Sequence, residues 1–146
     1  MAAVCLWVYD ISDEISRLFV KQTMNIDVKG IWHTSVVVYG LEYYFQQEIR
    51  AAAPGSTYFG APVNRIEVGE TAISKEEFEK FLNTKRETYT SSTYNLLKNN
   101  CNHFTDTALM FLVGKGVPEY ISELSRLVDA SPFGKIFRSS FDLSEN

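Results

Sequence analysis

Few residues in this sequence can do nucleophilic chemistry near neutral pH: two cysteines, Cys5 and Cys101, and two histidines, His33 and His103. Cys101 stands in the stretch Tyr94-Asn95-Leu96-Leu97-Lys98-Asn99-Asn100-Cys101-Asn102-His103-Phe104, behind two asparagines that suit a helix N-cap. Phe104, Ala108 and Leu112 continue from it at helical spacing, which predicts a helix from Cys101 to Val113, stopped by Gly114. A thiol in the first turn faces unpaired backbone N–H groups and the positive end of the helix dipole. A lowered pKa and a reactive thiolate are therefore expected of Cys101.

A cysteine nucleophile also needs a base that can take its proton near neutral pH, which points to the histidines. Two positions along an α-helix rotate a side chain by about 200°, so His103 points away from Cys101. His33 lies on a predicted strand and is free to meet Cys101 across a sheet–helix junction. The candidate dyad is Cys101 as nucleophile and His33 as general base, then acid, with the Cys101 backbone N–H as one oxyanion donor.

Plainer readings stand beside each residue. A cysteine on the apolar stripe of a helix is more often an inert core residue, and a strand histidine is often only hydrogen-bonded structure. His103 reads as a partly exposed first-turn residue. Cys101, His103, His33 and Cys5 include zinc-ligand types but lack a two-pair spacing. Gly55 and Gly60 lack the spacing and following lysine of a phosphate loop. No metal or cofactor is expected. Trp32, Tyr39, Tyr43, Tyr44 and Phe45 read as core and hairpin packing, with some of them flanking a groove.

The elements that must position these residues follow from local patterns. Val4 to Ile11 is a predicted strand ended by Asp10 and Ser12. Ser12 to Gln22 reads as a helix with Ile15, Leu18 and Phe19 on its apolar stripe, and Asn25 to Gly30 as a loop. Ile31 to Gly40 is the strongest strand signal, with His33, Ser35, Val37 and Tyr39 on one face and Trp32, Thr34, Val36 and Val38 on the other. Leu41 to Phe45 returns antiparallel after a turn at Tyr39 to Glu42. Gln46 to Pro62 reads as loop with short extended pieces, and Val63 to Val68 as a short strand.

Ile73 to Arg86 is a predicted amphipathic helix with a Ser74/Glu77 capping box and Phe78, Phe81 and Leu82 buried. Thr88 to Thr93 is a polar loop. Gly114 to Pro118 breaks the chain, with Pro118 opening a helix from Glu119 to Val128. Ser131-Pro132 starts a short helix to Arg138, and Ser139 to Asn146 is expected to fray. A strand-rich first half followed by a helical second half argues for an α+β domain.

A chain of 146 residues has the size of one domain and can bury about 68–70% of its unfolded surface without disulfides or metals. The net charge of −4, with no cluster of Lys and Arg, lacks the footprint of a nucleic-acid binder. No apolar run approaches the roughly 18–20 residues that span a bilayer, and no leader pattern is present, so an intracellular protein is expected. Its two cysteines are then expected to stay reduced, Cys5 as a small core residue.

Trp32-His33-Thr34-Ser35 on a strand, followed by Tyr94-Asn95-Leu96-Leu97 and Asn99-Asn100-Cys101-Asn102-His103-Phe104 at a helix start, resembles the PPPDE domain. This family of permuted papain-fold cysteine peptidases includes the DeSI desumoylating isopeptidases. The similarity runs from Val8-Tyr9-Asp10 to Ser131-Pro132-Phe133-Gly134. It implies a single domain over residues 1–138 with a tail at 139–146. It also implies a permuted papain-like fold, a small antiparallel sheet from the N-terminal half packed against C-terminal helices.

The family's catalytic histidine and cysteine map onto His33 and Cys101, with no third triad member in the pattern. The implied activity is thiol hydrolysis of the isopeptide or peptide bond to a ubiquitin-like modifier, SUMO or ubiquitin, with modifier conjugates as partners. A homodimer with the site near its interface is implied as well, and a cytoplasmic and also nuclear location is expected. Where relatives are glycine-rich after the hairpin aromatics, this chain has Phe45-Gln46-Gln47-Glu48-Ile49, whose bulkier residues would narrow or re-aim a groove. Two other readings stay open: an S-acyl thioesterase removing palmitoyl from cysteine with the same dyad, and a non-catalytic binding module that keeps the fold.

Overall fold

The computed structural model describes residues 1–12, 18, 21–23, 25, 30–94 and 99–123. Strands β1 (Ala2–Asp10), β2 (Trp32–Val38), β3 (Leu41–Gln46), β4 (Glu48–Ala52) and β5 (Asn64–Thr71) precede helices α1 (Lys75–Lys85) and α2 (Cys101–Val113). All neighbouring strands pair antiparallel, in the order β4-β3-β2-β1-β5. The architecture is α+β, as the order of local patterns predicts.

The β2–β3 hairpin turns on Tyr39 and Gly40 alone, between the paired Val38 and Leu41. Both turn residues have positive φ, 56° and 74°, as the tightest hairpin turns require. Tyr39 is held in this unusual region by its hydroxyl, which donates to the Ile73 carbonyl.

Residues 46–62 are not all loop. Glu48–Ala52 pairs with β3, Phe45 opposite Ile49 and Tyr43 opposite Ala51, around a turn made by Gln47 at φ 64°. Two consecutive alanines carry little strand propensity, so this strand exists because β3 offers it a hydrogen-bonding edge and Ile49 a place in the core. β5 likewise runs further than its apolar run, to Thr71, along the edge of β1.

Alternation along β2 divides the sheet into two unlike faces. Val36 and Val38 join Val4, Leu6, Val8, Tyr43, Phe45 and Ile49 against the helices, which contribute Phe78, Leu82, Phe104, Ala108, Leu109 and Leu112. His33 and Ser35 face the other way, yet both are buried, because the segment 53–63 folds back over them.

Both helix starts are capped as expected. Ser74 and Glu77 exchange bonds at α1, the Glu77 N–H donating to Ser74 Oγ at 3.1 Å. At α2 the cap is Asn100, whose Oδ1 accepts from the N–H groups of Asn102 (2.9 Å) and His103 (3.1 Å). Gly114 closes that helix in the left-handed region, φ 73°. Asn99 does different work: its amide donates to the carbonyls of Thr88 and Thr93 and ties down the preceding loop.

The N-terminal helix is described only at Leu18 and residues 21–23, which are helical. Most of Ser12 to Gln22, the 26–29 part of the first loop, the 95–98 part of the cysteine motif, and everything after Glu123 lie outside the described residues. The helix opened by Pro118 is present over residues 119–123.

Candidate active site

Three chain-distant elements converge at one end of the sheet, where β2 begins and β1 and β3 finish. They frame a cleft of about 370 Å³ into which both His33 and Cys101 open. β2 contributes His33 and the first residue of α2 is Cys101. Phe45, Gln46 and Gln47, from the end of β3 and its turn, form one wall. Tyr58 and Phe59 of the 53–63 segment form another, and Tyr94 lies before α2. The two candidate residues are thus brought to one cavity, as proposed from the sequence.

They are not hydrogen-bonded to each other in this conformation. The Cys101 thiol is directed at Asn102 Oδ1, 3.7 Å away, and His33 Nε2 is buried with no hydrogen-bond partner among the described residues. The imidazole lies instead among rings: Phe59 stacks on it with centroids 3.8 Å apart, Tyr9 is at 5.6 Å and Tyr44 at 6.1 Å. This burial lowers its pKa from 6.5 to about 4, because nothing nearby replaces the water that would solvate an imidazolium. His33 is a neutral imidazole at physiological pH.

The thiol departs from the sequence-based expectation. Burial pushes the Cys101 pKa up to about 11, against the pull of the backbone N–H groups of Thr34, Asn102 and Cys101 that would favour a thiolate. Desolvation by the surrounding protein outweighs the helix terminus. Alkylation by iodoacetamide at pH 7 is therefore expected to run about a hundredfold slower than at an ordinary exposed thiol, and to accelerate about tenfold per pH unit toward pH 11. A rate constant that levels off below pH 8 would show an activated thiolate instead.

His103 is excluded from the cleft by its own job. It is half-buried, its Nδ1 accepts the Asn100 N–H at 3.1 Å, and so it occupies the place a glutamate takes in a capping box. The helix rotation argument thus holds. Cys5 is half-buried and unpaired with Cys101, both thiols being free. It sits across from Val37, on the face away from the helices, rather than in the core.

Asn102 was not singled out in the sequence, and it ties the two halves of the site together. Its Nδ2 donates to the Trp32 carbonyl at 2.9 Å and its Oδ1 accepts from Thr34 Oγ1 at 2.7 Å, so one side chain grips the residues on both sides of His33. Thr105 Oγ1 adds contacts at 3.3 Å to the Thr34 carbonyl and at 3.1 Å to the Cys101 carbonyl. The start of α2 is strapped to the start of β2. Tyr58 and Phe59 also escaped notice, since nothing local marks two aromatics in a Pro/Gly segment as a cleft wall. At the rim the Gln46 amide donates to the Tyr58 hydroxyl. Gln47 lines the same edge in a left-handed conformation that glycine would adopt without strain.

Comparison with known proteins fits this arrangement. The sequence matches the family described as "PPPDE putative peptidase domain" over residues 2–141. It is 36% identical over 141 residues to desumoylating isopeptidase 1 of Rattus norvegicus and of Homo sapiens, covering 95% of this chain and 84% of each relative. To DeSI-like protein sdu1 of Schizosaccharomyces pombe it is 33% identical over 115 residues, 70% of this chain and 55% of that protein. A chain matched almost end to end in this way belongs to the PPPDE peptidase family and is a cysteine-type hydrolase.

Proposed function

We propose that this protein is an isopeptidase that cleaves a ubiquitin-like modifier from its protein conjugates, with Cys101 as nucleophile and His33 as general base and acid. The observation that carries this reading is the shared cleft, with a thiol at a helix start and a neutral imidazole opening into it. The names of the 36% identical relatives, desumoylating isopeptidase 1, support SUMO as the modifier.

The chemistry runs through neutral partners. The Cys101 side chain turns from Asn102 toward His33, the thiol proton passes to the imidazole, and sulfur attacks the scissile carbonyl carbon. The Cys101 backbone N–H is the candidate donor to the oxyanion. The C–N bond breaks as His33 returns the proton to the leaving lysine amine, leaving a thioester on Cys101. His33 then takes a proton from water, the hydroxide attacks the thioester, and the modifier carboxylate departs as the thiol is restored. A base with a lowered pKa stays unprotonated over the whole neutral range and is free to take the thiol proton.

The test is a panel of full-length SUMO and ubiquitin probes carrying a C-terminal electrophile, with the adduct mapped by mass spectrometry. The expected result is an adduct on Cys101 with the SUMO probe and loss of that adduct in His33→Ala. The slow alkylation predicted above means that iodoacetamide reports thiol burial, whereas the modifier probe reports catalysis. Failure of every modifier probe to label Cys101 would favour a binding module.

The apolar walls, Phe45, Phe59 and Tyr94 among them, also suit an acyl chain. An S-palmitoyl thioesterase is accordingly the second reading, because both reactions pass through the same thioester enzyme. Faster release of palmitate than of modifier from matched substrates would select it.

Asn102 gives a further expectation. Asn102→Ala removes the bonds to both neighbours of His33 and is expected to lower kcat by about 100-fold with little change in KM, as misplacement of reacting groups does. A kcat within twofold of the parent protein would show that the strap is dispensable.

A further inference from the structure

Glu42 is the only buried carboxylate among the described residues, with no exposure at all, in a strand whose other members are largely apolar or aromatic. Tyr9 Oη and Ser35 Oγ each donate to its Oε2 at 2.5 Å, and the Gly55 N–H donates to its Oε1 at 3.0 Å. Three donors converging on two oxygens suit an acceptor-only carboxylate. Burial and the neighbouring Glu42 push the Tyr9 phenol above its ordinary range, so it stays a donor.

A buried carboxylate is an expensive way to hold a sheet together, since apolar residues of similar size often serve stability as well or better. What Glu42 does that an apolar side chain cannot is reach out of the sheet to a backbone N–H. Gly55 belongs to the 53–63 segment, which rejoins the sheet backbone where the Val63 N–H donates to the Val8 carbonyl at 2.8 Å. Between those two ties the segment carries Phe59 onto the His33 ring and Tyr58 onto Gln46 at the cleft rim.

We propose that Glu42 is a positioning residue that pins the 53–63 segment through Gly55, so that Phe59 covers His33 and Tyr58 completes the cleft wall. Its bearing on turnover rests on His33 being the base, but the placement of Phe59 does not. The groups facing His33 are Tyr9 from β1, Tyr44 from β3, Phe59 from the segment and Cys101 across the cleft, with the Glu42 charge behind Tyr9 and Ser35.

Two conservative changes, one in length and one in charge, separate anchoring from charge. Glu42→Asp keeps the charge but is one methylene too short to hold Gly55 as well as the hydroxyls. Glu42→Gln loses the charge but keeps an oxygen for the Gly55 N–H, while the hydroxyls of Tyr9 and Ser35 can turn to accept from its amide.

The experiment is NMR titration of the His33 ring in the full chain, with His103 as internal reference, beside turnover measurements on each variant. Glu42→Asp and Phe59→Ala are each expected to raise the His33 midpoint by about one pH unit, because water regains the ring. Their combination should raise it no further, and Glu42→Gln should leave it unchanged or slightly lower. Turnover is expected to fall about tenfold in Glu42→Asp and to be largely kept in Glu42→Gln. An unchanged midpoint in Glu42→Asp, or an equal rise in Glu42→Gln, would overturn the proposal. A raised midpoint with undiminished turnover would uphold the anchor and remove His33 from the reaction. Should the Glu42 variants fail to fold, amide exchange in the unmodified protein decides: the Gly55 N–H should be protected, and exchange at the rate of an open loop would overturn the anchor.

Discussion

Cys101→Ala is expected to abolish hydrolysis of a modifier conjugate, by a factor on the order of 10⁴ or more, while leaving the fold and conjugate binding intact. The size follows from the route: without sulfur no thioester forms, and only the oxyanion donors and substrate binding remain to speed direct attack by water. The Cys101 side chain is half-buried and its thiol makes a long contact, 3.7 Å, to Asn102 Oδ1, so its loss costs little packing. His33→Ala should match it, since a thiol with a pKa of about 11 presents few thiolates at pH 7 without a base to take its proton. The two defects should not add, because both residues serve one proton transfer. Single-turnover cleavage of a SUMO conjugate, with Tm measured on the same samples, checks this. Residual activity above a few per cent in either variant would remove that residue from the dyad.

The second large effect is on stability in acid. The His33 imidazole titrates at 6.5 in an unfolded chain and at about 4 when buried beneath Phe59. Between those values the unfolded chain binds a proton that the folded one refuses. Folding stability is therefore complete above pH 6.5 and falls as pH drops toward 4, by about 3 kcal/mol. His103, whose pKa burial also lowers, adds a loss of the same sign and remains in a His33 variant. The comparison that isolates His33 is urea unfolding of the parent protein and His33→Gln at pH 7.5 and pH 4. The parent should lose about 3 kcal/mol more than the variant. Equal losses would mean that the ring is solvated and not held as described.

Acid sensitivity and the neutrality of the His33 ring at pH 7 thus have one cause. The aromatic cover that keeps His33 neutral also destabilises the fold in acid, and in the arrangement proposed above Glu42 holds part of that cover in place. A site of this kind favours a proton acceptor over a preformed thiolate–imidazolium pair. That distinguishes it from the dipole-activated thiol which the position of Cys101 at a helix start suggests.

Much of the scaffold was legible in the sequence because it depends on neighbouring residues. The bounds of α2 followed from Asn100, a 3.6-residue apolar period and Gly114. The Ser74/Glu77 box marked α1, and alternation along β2 put His33 and Thr34 on opposite faces. The helical period also turns His103 away from Cys101, in agreement with its capping bond to Asn100. These are short-range properties, set by dihedral preferences and by hydrogen bonds spanning three or four residues.

Other features were decided by atoms far apart in the chain. β4 exists because β3 has an edge to pair with, although its own alanines read as loop. The Cys101 thiol is raised rather than lowered because desolvation sums over everything packed around it, whereas the helix terminus acts only over its first turn. Phe59, Asn102 and Glu42 carry no local mark of their roles: each is defined by what it meets, the His33 ring, the backbone beside His33, and the Gly55 N–H. The sequence by itself determined which residues could do the chemistry and which elements would carry them. Only the tertiary structure decided their protonation, their partners and the shape of the cleft, because solvation and packing depend on the folded whole.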